Sequence, residues 1–192
     1  MTNKIYRAIA LVGAPFLFIG YLVEAIDRSL VDSWFTGFWG FMYITGWTFS
    51  MIALKKINAT GDGRWGRGLM WLILVTLCIA NLSNIYQWAV PRNKPSFFLY
   101  IDLCWPLSNL LMTFVGIAVL RARKVQGWKR YVPLFVAFWL PLSIGSLILM
   151  GKNDVSMMIG GVYSLVAWVL LAICAENPYV AYKKRTLSPA AY

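Results

Sequence analysis

Six stretches of about twenty mostly apolar residues decide what this chain can fold into: Tyr6–Ala25, Trp34–Leu54, Gly68–Val90, Phe97–Leu120, Tyr131–Met150 and Val155–Ala175. A bilayer core ~30 Å thick takes about 20 residues of helix to cross. In lipid only helices and closed barrels satisfy every backbone polar group, and these runs lack the two-residue alternation of barrel strands. The expectation is an all-α polytopic membrane protein, one domain over residues 1–192, built as a bundle of six transmembrane helices. Composition agrees: 60% hydrophobic and 13% charged residues fall far from the roughly 25% charge of a soluble domain. The first span follows Lys4 and Arg7 and imitates a secretory signal. No A-x-A-like cleavage site follows it, and Glu24, Asp27 and Arg28 close its far end, so it is read as retained.

Lys and Arg set the orientation. Fourteen of them fall on one side of the predicted membrane: Lys4 and Arg7, the second-to-third loop with Lys55, Lys56, Arg64 and Arg67, the cluster from Arg121 to Arg130, and the tail with Lys183, Lys184 and Arg185. Arg28, Arg92, Lys94 and Lys152 make four on the other. Both termini are therefore expected in the cytoplasm, in a cell inner membrane of bacterial type. The net charge of +11 is then an insertion signal that also favours anionic lipid, and no nucleic-acid partner is expected. Trp34 and Trp88 near one set of ends and Trp65, Trp71 and Trp128 near the other fit the headgroup level. Trp39, Trp47, Trp105, Trp139 and Trp168 lie deeper and need lipid or helix packing.

The chain has no histidine, which removes His-held haem, His-ligated zinc and imidazole general bases. Cys78, Cys104 and Cys174 form no CxxC and sit at mismatched depths, so they read as small apolar filler. No cofactor or metal is expected. The glycines between Lys56 and Gly68 lack a GK[ST] sequence and a preceding strand, so the loop reads as a basic connector, not a phosphate cradle. Discontinuous helices and inverted repeats, the marks of many transporters, are not visible.

Polar residues inside spans are costly and point to function by default. At 100° per residue, Asn81, Asn84 and Trp88 form a stripe on the third span with Gln87 at its edge, and Asp102, Trp105 and Asn109 form one on the fourth. The turn between these helices centres on Asn93, which puts Asn84 and Asp102 at similar depth in an antiparallel hairpin. The two stripes are expected to join, with amides and the Trp105 indole donating to the Asp102 carboxylate. Pro106 frees the carbonyl of Asp102 as well. Interhelical glue at ~0.6–2 kcal/mol per polar contact is the plain reading, but it needs no buried carboxylate. The favoured one is a pocket in the outer half of the membrane that binds a small or lipophilic molecule.

Three functions follow in order. The first is a small permease or ligand-binding membrane protein. Asp102 takes a proton or cation there, and Asn81, Asn84, Gln87, Trp105 and Asn109 hold the ligand. A homo-oligomer is left open as a way to complete a path. The second is a cofactor-free membrane-embedded enzyme, a cyclase or isomerase on a lipophilic substrate with Asp102 as general acid. The stretch from Asn84 to Asp102 lacks the acidic residue beside a tryptophan on the third span that a membrane terpene cyclase would bring, so no family is assigned. The third is a non-catalytic assembly subunit.

Overall fold

The structure is a computed structural model and describes residues 3–174. The cationic tail Lys183, Lys184 and Arg185, the C-terminus and the last residue of the sixth predicted span, Ala175, lie outside the described residues. Those residues form helices α1 (Asn3–Gly13), α2 (Phe16–Ile26), α3 (Trp34–Lys56), α4 (Arg64–Ala89), α5 (Ser96–Asp102), α6 (Cys104–Ala122), α7 (Val132–Ala137), α8 (Trp139–Met150) and α9 (Asp154–Cys174), with short 3-10 turns at Arg28–Leu30 and Gly127–Tyr131 and no strand among them.

Five stretches are long and apolar enough to cross a membrane: Lys4–Ile26, Arg64–Ala89, Ser96–Ala122, Gly127–Met150 and Asp154–Cys174. These are the helices of a multi-pass membrane protein, and their bounds lie close to those read from hydropathy. α3 is as long, at 23 residues, but glycine, threonine, serine and aromatic residues dilute it. The reason is its place in the bundle. α3 packs against α1 and α2, against α4 and against α9, so protein covers much of its surface and its composition need not suit lipid. Gly37, Trp39, Gly40, Tyr43, Trp47, Met51 and Leu54 are all buried on it.

The spans close into a ring. α3 meets α4, α4 meets α6, α6 meets α7, and α9 packs on α7 and α8 and returns to α2. Where α1 crosses α3, Gly13 faces Gly46, and a Cβ on Gly13 would come within 2.6 Å of the Gly46 Cα. Only a pair without side chains allows that approach. In the interior, Trp47 and Trp168 cross edge to face at 5.1 Å with Tyr43 against both. The ten tryptophans divide as their positions in sequence imply. Trp34, Trp65, Trp71, Trp88 and Trp128 are exposed, Trp39, Trp47, Trp139 and Trp168 are buried and Trp105 is half-buried. The deep five are thus held by helix packing.

Three spans are interrupted, which the sequence reading did not anticipate. The first predicted span breaks at Ala14–Pro15, the fourth predicted span at Leu103 between α5 and α6, and the fifth predicted span at Phe138 between α7 and α8. The last two breaks each lie three residues before a proline, Pro106 and Pro141. Proline has no N–H for the carbonyl four residues back and its ring crowds that turn, so the helix opens there.

Loops tie the two ends of the bundle differently. At the basic end, Lys124 pairs with Asp62 at 2.8 Å, Lys55 lies over the Trp71 ring at 3.2 Å and Lys56 over Tyr6. Residues 57–63 are a compact turn there, and its buried Thr60 hydroxyl donates to the Gly66 carbonyl in the first turn of α4. At the opposite end the loop after α2 is the hub. Arg28 pairs with Asp154, Arg92 donates to the Ser29 carbonyl and Lys94 pairs with Asp32 at 2.5 Å. Hydrogen bonding from the Ser29 side chain, and then from the Ser29 N–H at 2.9 Å, holds the Asp27 carboxyl below the usual carboxylate range.

Candidate functional site

Two cavities lie side by side at the end of the bundle opposite the basic loops. One, of about 350 Å³, is polar and is walled by α2, α3, α4 and the α5–α6 kink. The other, of about 430 Å³, lies between that kink, α8 and α9 and is mostly apolar. Tyr21, Asp102, Trp105 and Lys152 line both. The carboxylate singled out from sequence therefore stands at the junction, on the last residue of α5, half-buried and at the opened turn before Pro106.

Its partner differs from the one expected. Ser83 Oγ donates to Asp102 Oδ1 at 3.2 Å and to the Ala80 carbonyl at 2.7 Å. The amides of Asn81 and Asn84 point elsewhere. Asn81 Nδ2 donates to Thr45 Oγ1 of α3 at 3.0 Å. Asn84 Nδ2 turns to the Ala80 carbonyl and to Asn81 Oδ1, at 3.3 and 3.5 Å, and its head sits in the space that Gly40 leaves on α3. Trp88 packs on Phe38 and Phe41 of the same helix. The stripe Asn81–Asn84–Trp88 is thus real, but it faces α3 and not the fourth span. The face of α4 turned to the fourth span carries Thr76 and Ser83. Ser108 of α6 donates to Thr76 Oγ1 at 2.9 Å, which places Thr76–Ser108 and Ser83–Asp102 as two rungs of one antiparallel contact. The depth argument survives this change of face, because Ser83 is the neighbour of Asn84 and the polar cavity contains both.

Asn84, Gln87, Asp102 and Trp105 come together on the wall of the polar cavity. Asn81 and Asn109 do not line it. Asn109 is fully buried in the α6 contact, its Nδ2 donating to the Trp105 carbonyl at 3.2 Å; the stripe it shares with Trp105 continues into packing, where Gly116 abuts the α7 backbone at Leu134. Gln87 Nε2 and Trp105 Nε1 are buried without a hydrogen-bond partner. The indole N–H of Trp105 neighbours the Tyr43 hydroxyl, yet neither group completes a hydrogen bond.

Several residues of the site escaped the sequence reading. Lys94 and Lys152 count in the sequence only as charges that set orientation, yet both line the polar cavity. The Pro91–Pro95 turn is short enough to bring Lys94 back over the helix ends, where it meets Asp32. From sequence Glu24 only closes the far end of the first span. Instead it accepts from Thr36 Oγ1 at 2.5 Å and from Trp39 Nε1 at 2.9 Å, which fixes Trp39 against Gly20 and Tyr21. Glu24 therefore positions an aromatic wall of the cavity and is not a rim charge.

Among the described residues no three carboxylate or cysteine side chains gather closely enough to hold a metal ion. The cavity offers amide, indole and hydroxyl donors, one carboxylate with spare acceptor capacity and aromatic faces. Such a set can hold a cation at Asp102, with Trp105 and Tyr21 able to contribute their ring faces. No family model, curated protein or solved structure matches the chain.

Proposed function

We propose that this chain is a six-span integral membrane protein of small-permease or ligand-binding type, with α3 as the additional crossing. On this reading both termini lie on the cytoplasmic side, and the paired cavities open in the outer half of the membrane. At ~1.5 Å per residue α3 is long enough to cross the bilayer core, and its cationic end, Lys55 and Lys56, lies with the other basic loops. Asp102 is the ionisable group of the site and takes a proton or a ligand cation.

The observation that carries this reading is the state of the Asp102 carboxylate. It lines both cavities, its one side-chain hydrogen bond is from the Ser83 hydroxyl, and no Lys or Arg among the described residues pairs with it. An unpaired carboxylate at membrane depth costs ~2.5–3.5 kcal/mol on insertion scales. A packing contact between α4 and α5 would be served as well by serine or asparagine without that cost.

Native mass spectrometry of the protein released from a mild detergent tests the reading. The parent is expected to carry a bound molecule that survives extraction. The Asn84→Leu, Asp102→Leu double variant, which fills the recess with apolar side chains, is expected to fly without it. A parent without any adduct, or a double variant with the same adduct at the same occupancy, overturns the proposal.

A further inference from the structure

Two charged side chains line both cavities, Asp102 and Lys152; among the described residues neither forms an ion pair with the other or with any other charged group, and Asp102 is met by the Ser83 hydroxyl. The remaining ionic groups on the polar wall, Lys94 and Asp32, neutralise one another. The shared space therefore presents one separated negative and one separated positive charge. Asp102 is half-buried and Lys152 is exposed at the cavity mouth, so a molecule with an ammonium facing the first and an anionic group a short link away facing the second would meet both.

The second cavity gives that molecule its other end. Beyond Asp102 and Trp105 its wall is Leu140, Ile144, Leu147 and Met157, a surface suited to hydrocarbon. It opens sideways: Leu103 at the kink is 51% exposed, Ile144 47% and Leu147 38%, so the gap between the α5–α6 break and α8 faces the bilayer. Trp139 forms its floor, tilted against Trp105 with ring centroids 5.4 Å apart and anchored by its indole N–H to the Gly160 carbonyl at 2.8 Å. Within this apolar wall the buried Ser143 hydroxyl has no hydrogen-bond partner, and Trp105 Nε1 is in the same state at the junction. Two unanswered polar groups between a charged head site and an apolar chamber match the ester or hydroxyl oxygens that link a lipid head to its chain.

We infer that the paired cavities hold a zwitterionic single-chain amphiphile, its ammonium at Asp102, its phosphate or carboxylate at Lys152 and its hydrocarbon chain in the chamber between α8 and α9, entered from the bilayer at Leu103. This rests on the ligand-binding reading above and names the class of ligand.

The test uses lysophosphatidylethanolamine with a photoactivatable diazirine in its chain, added to the full-length protein in nanodiscs. Crosslinks are expected on Ile144, Leu147 and Met157 at several-fold higher yield than on the exposed Ile148 and Val162. Unlabelled lysophosphatidylethanolamine should compete them away, and lysophosphatidylglycerol, which lacks the ammonium, should compete at least tenfold less well. Asp102→Asn should erase that tenfold preference while crosslinking persists, and Lys152→Gln should weaken both lipids. Ile144→Trp, which occupies the chamber and leaves the charged groups in place, should abolish the crosslinks on Leu147 and Met157. Equal crosslinking over the whole lipid-facing surface overturns the chamber, and equal competition by the two lysolipids overturns the zwitterion. If either result accompanies a different adduct in the native mass spectrum, lost in the double variant, the recess stands and only the amphiphile falls. Absence of both crosslink and adduct removes the two readings together.

Discussion

Ser83 Oγ lies 3.2 Å from Asp102 Oδ1 and 2.7 Å from the carbonyl of Ala80, so one hydroxyl links the backbone of α4 to the opened turn of the fourth span. A hydroxyl has a single proton, and only one of these acceptors receives it at a time. When Asp102 is ionised its charge draws the proton, since a hydrogen bond to a charged acceptor is about twice as strong as a neutral one. When Asp102 is occupied by a proton or a cation, the hydroxyl can return to Ala80.

From that relationship, Ser83→Ala is expected to destabilise the protein by about 1.5–3 kcal/mol, the range for a hydrogen bond to a charged group. In the Asp102→Asn background the same change should cost less than half as much. Thermal unfolding of the four proteins, followed by tryptophan fluorescence in one detergent, gives the coupling directly. Additive losses would show that Ser83 serves only the Ala80 carbonyl.

Gly40 makes room for the Asn84 amide. A Cβ there would stand 2.8 Å from Asn84 Cγ, deep inside contact distance. Gly40→Ala is therefore expected to push Asn84 off α3 and cost about 1–3 kcal/mol, the usual penalty of overpacking. Adding Asn84→Ala should recover most of the loss, because the intruding methyl then fills the space that the amide vacates. Failure of the second change to rescue the first would place the strain in the α3 backbone.

The helices were legible in sequence because apolar length is a direct physical demand of the bilayer. Less legible was which neighbour each polar stripe faces. Asn81, Asn84 and Trp88 were assigned to the fourth span because the two helices are joined by a short turn, but a helix in a bundle touches neighbours on both sides. The deciding signal was on α3: Gly37 and Gly40, one turn apart, open a groove that accepts the Asn84 side chain and the α4 backbone at Trp88. Ser83 has too small a side chain to stand out in a polar count, and it makes the contact that the amides were expected to make. Lys94 and Lys152 were hidden for another reason. Charge position along the chain reveals the side of the membrane, but not whether a loop folds back over a cavity.

Glu24 supports the tryptophan wall through two donors, Thr36 Oγ1 and Trp39 Nε1. Glu24→Gln keeps an acceptor oxygen at that place and should lose only the charge-assisted part of the pair. Glu24→Ala leaves a mostly buried indole N–H unanswered and should cost about 1–3 kcal/mol more. Thermal unfolding should rank the parent above Gln and Gln above Ala. Equal stability of all three would mean that Trp39 finds another acceptor and that the wall does not depend on Glu24.

Asp62 and Lys124 join two loops at the basic end, 2.8 Å apart. Hydrogen bonding from the Lys124 ammonium, and then its charge, hold the Asp62 carboxyl below its ordinary value. A carboxyl whose folded-state value is depressed binds its proton more readily in the unfolded chain. Its contribution to stability is present above the unfolded value of about 4 and is lost as pH falls through the lower, folded value. Both partners are solvent-exposed, so the effect is screened by salt. A carbon-13 carboxyl titration of labelled protein should find Asp62 below the other loop carboxylates at low salt, moving upward in 1 M salt. Lys124→Gln should return it toward the ordinary range, and Lys124→Arg should keep it low. Asp62→Asn should flatten the part of the acid unfolding profile that this carboxyl produces, with an equally small loss of stability at neutral pH and none below the folded value. An Asp62 titration that ignores both Lys124→Gln and salt would show that the two loops do not meet in solution.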